Sequence, residues 1–414
     1  MEAIKLDQPP RRVAFLIAGL AMFGPFSIDA IFPGFPAIAA EFGASNVMMQ
    51  QIISVYLGGF ALMSLFHGPL SDALGRRKVV LWSTFVFVLA SAGAALSPSL
   101  KVLLVWRLIQ DCSAGGGVIV GRAIIRDIAE GPVAHRMIAH VMMIFAVAPA
   151  VAPIAGAYLC GLGGWRTVFW AVSVFAGVIL LLSGLTLAES LHPEQRHHLS
   201  VGSLLIYRRI GEDRQFVLLA MSSALNFGAL FLYISSAPRF VLDFLHLSVN
   251  EFYWLFVPAV TGIISGSWVA GRISGRFTDA ALLRVGFGIM LIACAVNAFM
   301  NVLTRQPHLP WAVLPIGLQA FGIALNQPLL TVLALDRFPR HRGAASSVQG
   351  FLALSVNATV SGIVSPLVSL SPFTLSAAVL AVSAAGFFLW LLRGRSEEDV
   401  AIHHVVGDET SVSE

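Results

Sequence analysis

Asp29, Arg107 and Asp111 are ionisable side chains set deep inside long, almost wholly apolar stretches. A charge turned toward lipid costs at least ~2.5 kcal/mol by insertion scales, so each must face a cavity or another polar group. Burial in a low dielectric favours a neutral carboxylic acid, whereas a nearby guanidinium favours the carboxylate. That opposition lets a carboxyl group take up and give back a proton as its neighbours change. Arginine keeps its proton, so Arg107 serves as a fixed charge. Asp29 then has two readings. Either it binds a coupling proton or a cationic substrate with Arg107 tuning it, or the two form a structural ion pair that assembles a bundle. Asp111 lies one helical turn beyond Arg107, at a spacing where the two can pair. It could be the real proton site, with Asp29 secondary, or it could simply neutralise Arg107.

Such residues need long apolar helices to hold them. Hydrophobic residues make up 57% of the 414-residue chain and charged residues only 12%, about half the usual share for soluble domains. Twelve spans stand out: 13–37, 49–69, 79–97, 101–124, 137–160, 166–187, 215–237, 252–271, 281–302, 309–333, 343–366 and 372–392. Each is long enough to cross a hydrocarbon layer of ~30 Å. With both termini on one side, twenty-one of the 26 Lys and Arg fall on that side and four on the other. The positive-inside rule makes the side rich in Lys and Arg cytoplasmic, and both termini with it. On this reading Asp29 lies about 12 Å from the outer end of its helix and Arg107 about 9 Å from the outer end of the antiparallel fourth span.

The chain therefore divides into a leader (1–12), a six-span half (13–188), a polar central loop (189–214), a second six-span half (215–392) and a tail (393–414). Two halves joined by one polar loop suggest a duplicated carrier. Three scattered cysteines, Cys112, Cys160 and Cys294, give neither a disulfide framework nor a metal site. A pI near 9.2 would point to nucleic acid in a soluble chain, but here the basic residues sit in short loops and set topology. Neither a GxxxxGK[ST] loop nor an HExxH, CxxC or GxSxG motif is present, so the energy source is an ion gradient rather than ATP, and no catalytic set or cofactor is expected.

The basic turn Gly68-Pro69-Leu70-Ser71-Asp72-Ala73-Leu74-Gly75-Arg76-Arg77-Lys78 resembles the signature loop between the second and third helices of the major facilitator superfamily. Arg107-Leu-Ile-Gln110 is similar to the superfamily's intramembrane arginine motif, and Pro149-Ala-Val-Ala-Pro153-Ile-Ala-Gly156 to its antiporter motif. Asp29-Ala-Ile-Phe-Pro33-Gly34-Phe-Pro36 and Gly121-Arg122-Ala-Ile-Ile-Arg126-Asp127 bring the resemblance closest to the Bcr/CflA group of multidrug efflux proteins. Two departures stand out. Ala148, Ala152 and Ala157 occupy places where the antiporter motif has more glycine, and Asp111 replaces the glycine expected after Gln110.

The resemblance implies an all-α membrane protein of twelve transmembrane helices in the major facilitator fold. It would work as a monomer in the bacterial inner membrane and export lipophilic drugs in exchange for protons. A narrow carrier for one metabolite, such as a nucleoside or an amino acid, is the alternative. Asp72, Arg76 and Arg77 would latch the two halves together on the cytoplasmic side, with Arg122, Arg126 and Asp127 as partners. Pro149, Pro153 and Gly156 would bend the fifth helix or let it approach a neighbour. Tyr56, Asn226, Gln319, Asn326, Gln327 and Asn357 are candidates for a cavity lining, with hydrogen bonding between helices as the other reading. The partners are a small-molecule substrate, protons and the bilayer, with no nucleic acid.

Overall fold

Backbone N–H and C=O groups in hydrocarbon must be paired within their own segment, and apolar runs of this length satisfy them as helices. The computed structural model describes residues 11–393 except 130, 193, 195, 197–200, 274–275 and 305–306. The leader and tail therefore lie outside the described residues, apart from 11, 12 and 393. The helices are α1 (Arg11–Asp29), α2 (Phe35–Phe42), α3 (Asn46–Leu74), α4 (Arg76–Ala95), α5 (Leu100–Ile128), α6 (Gly131–Gly163), α7 (Trp165–Thr186) and α8 (Val201–Glu212). They continue with α9 (Arg214–Ser235), α10 (Tyr253–Ile273), α11 (Asp279–Thr304), α12 (Leu314–Asp336), α13 (Arg342–Thr359), α14 (Ser365–Val368) and α15 (Pro372–Leu392). Among the described residues, 11 segments are long and apolar enough to cross a membrane, and α6 adds a shorter apolar stretch, Val147–Gly163.

The elements depart from the sequence reading in three places that matter for the site. The span read as continuous over 13–37 breaks at Asp29, which closes α1; a 3-10 turn, Phe32–Gly34, leads into α2. Pro33 supplies no N–H to the carbonyl of Asp29 four residues before it, and Pro36 none to that of Phe32, which accounts for the break.

The basic stretch 68–78 is mostly helix, not turn. α3 runs on to Leu74, and the reversal falls on Gly75 alone, at φ 99°. Pro69 sits inside α3 and cannot donate to the carbonyl of Leu65; the Tyr207 hydroxyl of α8 donates there instead, at 3.0 Å. The central segment, read as a loop over 189–214, contains α8. Ile206, Tyr207 and Ile210 lie on one side of it, and Arg208 pairs with Glu212 in the next turn at 2.8 Å.

One packing scheme occurs twice. α5 packs on α3, α4 and α1; α12 packs on α10, α11 and α9 in the same way. The pairs α4–α7, α1–α6 and α1–α7 recur as α11–α15, α9–α13 and α9–α15. The two halves meet through α3 against α13 and through α6 against α10. Away from Gly75 they are in contact: Phe32 stacks on Phe252 and Phe256 at centroid distances of 6.4 and 6.1 Å. Beside this stack, Gln51 Nε2 donates to the Gly362 carbonyl at 3.0 Å and the Ser54 hydroxyl to that of Ala358 at 2.9 Å. Toward Gly75 the halves separate around a cavity of about 610 Å³.

Candidate functional site

Glycines draw α5 between α1 and α3. A methyl group added at Gly117 would lie 2.9 Å from the Leu20 carbonyl oxygen of α1, and one at Gly59 of α3 would lie 2.8 Å from that of Leu108. Arg107 projects from α5 into this tight layer and is fully buried. Its Nε donates to the Ile52 carbonyl at 3.3 Å, and its Nη1 to the Ser27 carbonyl at 3.2 Å and to Gln110 Oε1 at 2.7 Å. Gln110 in turn donates to the Ser91 hydroxyl of α4 at 2.7 Å. The guanidinium lies over the Tyr56 ring, 4.0 Å from its centroid, with Phe169 of α7 at 5.7 Å. One cation thus touches α1, α3, α4 (through Gln110), α5 and α7.

No ion pair joins Arg107 to either carboxylate among the described residues. Asp111 is fully buried, and neither of its carboxylate oxygens has a hydrogen-bond partner. The guanidinium is taken up instead by Gln110 and by the carbonyls of Ser27 and Ile52, and a basic residue before an acidic one is the poorer order for pairing. Asp29 is 3% exposed at the end of α1, and no hydrogen bond or ion pair engages its carboxylate among the described residues. The reach from α5 to α1 ends on the carbonyl of Ser27, two residues short of it. The hydroxyl of Tyr56 faces Asp111 and Ser27 without forming an aligned hydrogen bond to either.

The charges near Gly75 are tied within the first half. Arg76 pairs with Asp72, and its Nε donates to Asp127 at 3.0 Å. Its backbone N–H donates to Glu189 at 2.8 Å. Arg77 caps the end of α7, donating to the carbonyls of Leu187 and Gly184 at 2.7 Å each. The Ser190 hydroxyl donates to Asp127 at 2.8 Å. Arg122 and Arg126 are exposed and line the cavity with Asp72 and Arg76; Phe60 and Ser64 continue that wall, and Tyr207, Ser347 and Leu354 form part of the opposite one.

Pro149 and Pro153 lie inside α6, and Gly156 rests against the turn that follows α1: a methyl group there would fall on the carbonyl oxygen of Ala30. Asn226, Asn326 and Gln327 join α9 to α12. Asn226 donates to Gln327 at 3.2 Å, Asn326 to Asn226 at 3.4 Å, and Gln327 to the Ser223 hydroxyl at 2.9 Å. Gln319 and Asn357 are buried, each with one side-chain polar atom unpaired. None of these five, nor Tyr56, lies in the wall of the 610 Å³ cavity. Sequence reasoning missed Tyr207 and Ser347 as cavity residues. The one usable signal was Pro69, whose missing N–H calls for an outside donor to Leu65.

The sequence matches the Major Facilitator Superfamily over residues 14–362. It is 34% identical over 367 residues to an uncharacterized MFS-type transporter, YdgK, of Bacillus subtilis (strain 168), covering 87% of this chain and 89% of that one. It is 30% identical over 336 residues to the multidrug transporter MdfA of Yersinia pestis, covering 79% and 80%. Its fold is similar to that of a D-xylose-proton symporter, with a TM-score of 0.73 at 14% identity over 93% of this chain and 97% of that one. With its apolar helices and bacterial relatives, it is a multi-pass protein of the bacterial inner membrane. The chain belongs to the major facilitator superfamily.

Proposed function

We propose that the protein exports lipophilic compounds across the inner membrane in exchange for protons, by alternating access of one central cavity. It does so as a monomer of twelve crossings with both termini in the cytoplasm. On that topology the 610 Å³ cavity opens to the cytoplasm, and the Phe32–Phe252–Phe256 stack closes the outer side. The likeness to the multidrug transporter MdfA supports the substrate class. The observation that carries the coupling is chemical: Asp29 and Asp111 are buried carboxyl groups with no ion pair among the described residues, on the helices that the Arg107 cation ties to α3. Arg76, Asp72 and Asp127 act as the gating cluster, and in this cytoplasm-open state they brace the first half internally; closure would bring them to the second.

Proton movement across proteoliposomes, with lipophilic cations, neutral antibiotics and nucleosides added in turn, tests this. Flux triggered by several unrelated lipophiles, and lost when Asp29→Asn and Asp111→Asn are combined, is the expected result. Flux with a single metabolite would move the protein to the narrow-substrate class. Unchanged flux in the double variant would remove the carboxyl groups from the mechanism.

A further inference from the structure

We propose that Asp111, and not Asp29, holds the coupling proton, and that Arg107 is the tie through which its loss reaches α1 and α3. This rests on the proton-coupled reading above and assigns the site within it.

Five polar atoms from three helices meet here with no hydrogen bond: Ser27 Oγ, Tyr56 OH, Arg107 Nη2 and both carboxylate oxygens of Asp111. The Arg107 guanidinium is committed instead to neutral acceptors, the carbonyls of Ser27 and Ile52 and the Gln110 side chain. A bare carboxylate one turn away would draw that guanidinium, because a buried anion is tolerated only when paired. The arrangement is the one a neutral acid leaves behind, with the cation satisfied elsewhere and no charge on Asp111 to draw it back. The titratable and charged groups that face Asp111 are Tyr56 of α3 and Arg107 and Cys112 of α5; among the described residues, α1, α4 and α6 present none. Among the described residues Asp29 shares no interaction with Arg107 or Tyr56, so nothing in this cluster answers to its charge.

The step balances simply. The Asp111 O–H bond breaks, and its proton passes to water entering from the cavity, whose wall begins at Phe60 and Ser64. The resulting carboxylate accepts from Arg107 Nη2 and the Tyr56 hydroxyl. Drawn toward that charge, the rigid guanidinium shifts as a whole, and its Nη1 and Nε release Ser27 and Ile52. α1, whose end leads to Phe32, and α3, which packs on α13, are thereby freed from α5. Reprotonation restores the ties.

The test needs no substrate. Infrared difference spectra of the full chain in nanodiscs, recorded across a pH titration, report the C=O stretch of a protonated buried carboxyl group. The band is expected in wild type and in Asp29→Asn, and absent from Asp111→Asn. Asp111→Glu keeps a band at a shifted position, which also serves if the Asn variant folds poorly. Loss of the band in Asp29→Asn with its survival in Asp111→Asn would overturn the assignment, as would a band that does not move in Asp111→Glu or one missing from wild type. A protein that shows the Asp111 band but transports nothing would refute the efflux reading alone.

Discussion

Replacing Arg107 with lysine separates a forked tie from a mere point charge. The guanidinium makes three hydrogen bonds, to Ile52 at 3.3 Å, Ser27 at 3.2 Å and Gln110 at 2.7 Å, and stacks on Tyr56. A lysine ammonium keeps the charge but has neither the planar fork nor a flat face. It can retain the Gln110 contact and must give up the two backbone carbonyls. Hydrogen bonds to charged groups contribute about 1.5–3 kcal/mol each, and the two lost are the longer ones, so the lower end applies: about 3 kcal/mol in all. That is about a hundredfold in the folded-to-unfolded ratio and a melting temperature lower by roughly 3 °C. Thermal unfolding in detergent can be followed with a thiol-reactive dye, because Cys112, Cys160 and Cys294 are all free and Cys294 is buried. If Arg107 acts only as a counter-charge, Arg107→Lys melts with wild type and Arg107→Gln alone falls. That result would refute the tie, and with it the route from Asp111 to α1 and α3.

Three further outcomes follow from the packing. Gly156→Ala places a methyl group on the Ala30 carbonyl and should cost about 1–3 kcal/mol or more, whereas Gly161→Ala, with open space around it, should melt with wild type in the same assay. Tyr207→Phe strips the Leu65 carbonyl of its donor and should cost about 1–3 kcal/mol; adding Pro69→Ala, which restores a backbone N–H to that carbonyl, should recover part of the loss. Burial pushes the Asp213 carboxyl group up, but the Phe216 N–H and the Arg337 guanidinium outweigh it and hold the group below 3.8. Its contribution is therefore full above the ordinary carboxylate range, and the gap between wild type and Asp213→Asn should close as the pH falls through that lowered value, checked by melts across acid pH.

Where chemistry is set by composition, the sequence is a reliable guide. Apolar runs bounded by Lys and Arg located most of the long helices, though not the break after Asp29 or α8, because hydrocarbon leaves the backbone few choices. What escaped reading was direction and partnership. Arg107 and Asp111 stand at a spacing that permits an ion pair, yet two carbonyls on neighbouring helices and the Gln110 side chain take the guanidinium instead. Asp29 was measured along an unbroken helix, but prolines four and seven residues later end that helix at the carboxylate itself. Asn226, Asn326 and Gln327 carry the right atoms to line a cavity, and only the pairing of α9 with α12 reveals that they spend them on one another.

The repeated packing scheme sharpens what differs between the halves. At its centre the first half places Arg107 and Asp111 on α5; the corresponding α12 of the second half carries Gln319, Asn326 and Gln327. Amides hold both donors and acceptors, so Asn226, Asn326, Gln327 and Ser223 bond to one another without a net charge. Such a half can rotate as a rigid body with no change in protonation. The first half cannot: a carboxylate appearing at Asp111 must recruit Arg107, and Arg107 cannot move without loosening α1 and α3. On the proposed mechanism coupling is therefore one-sided. The proton acts through the first half, at helices that meet the second along α3 and α13. Substitutions in the amide network should then loosen the packing of α9 on α12, read as a lower melting temperature, while leaving the proton requirement in place.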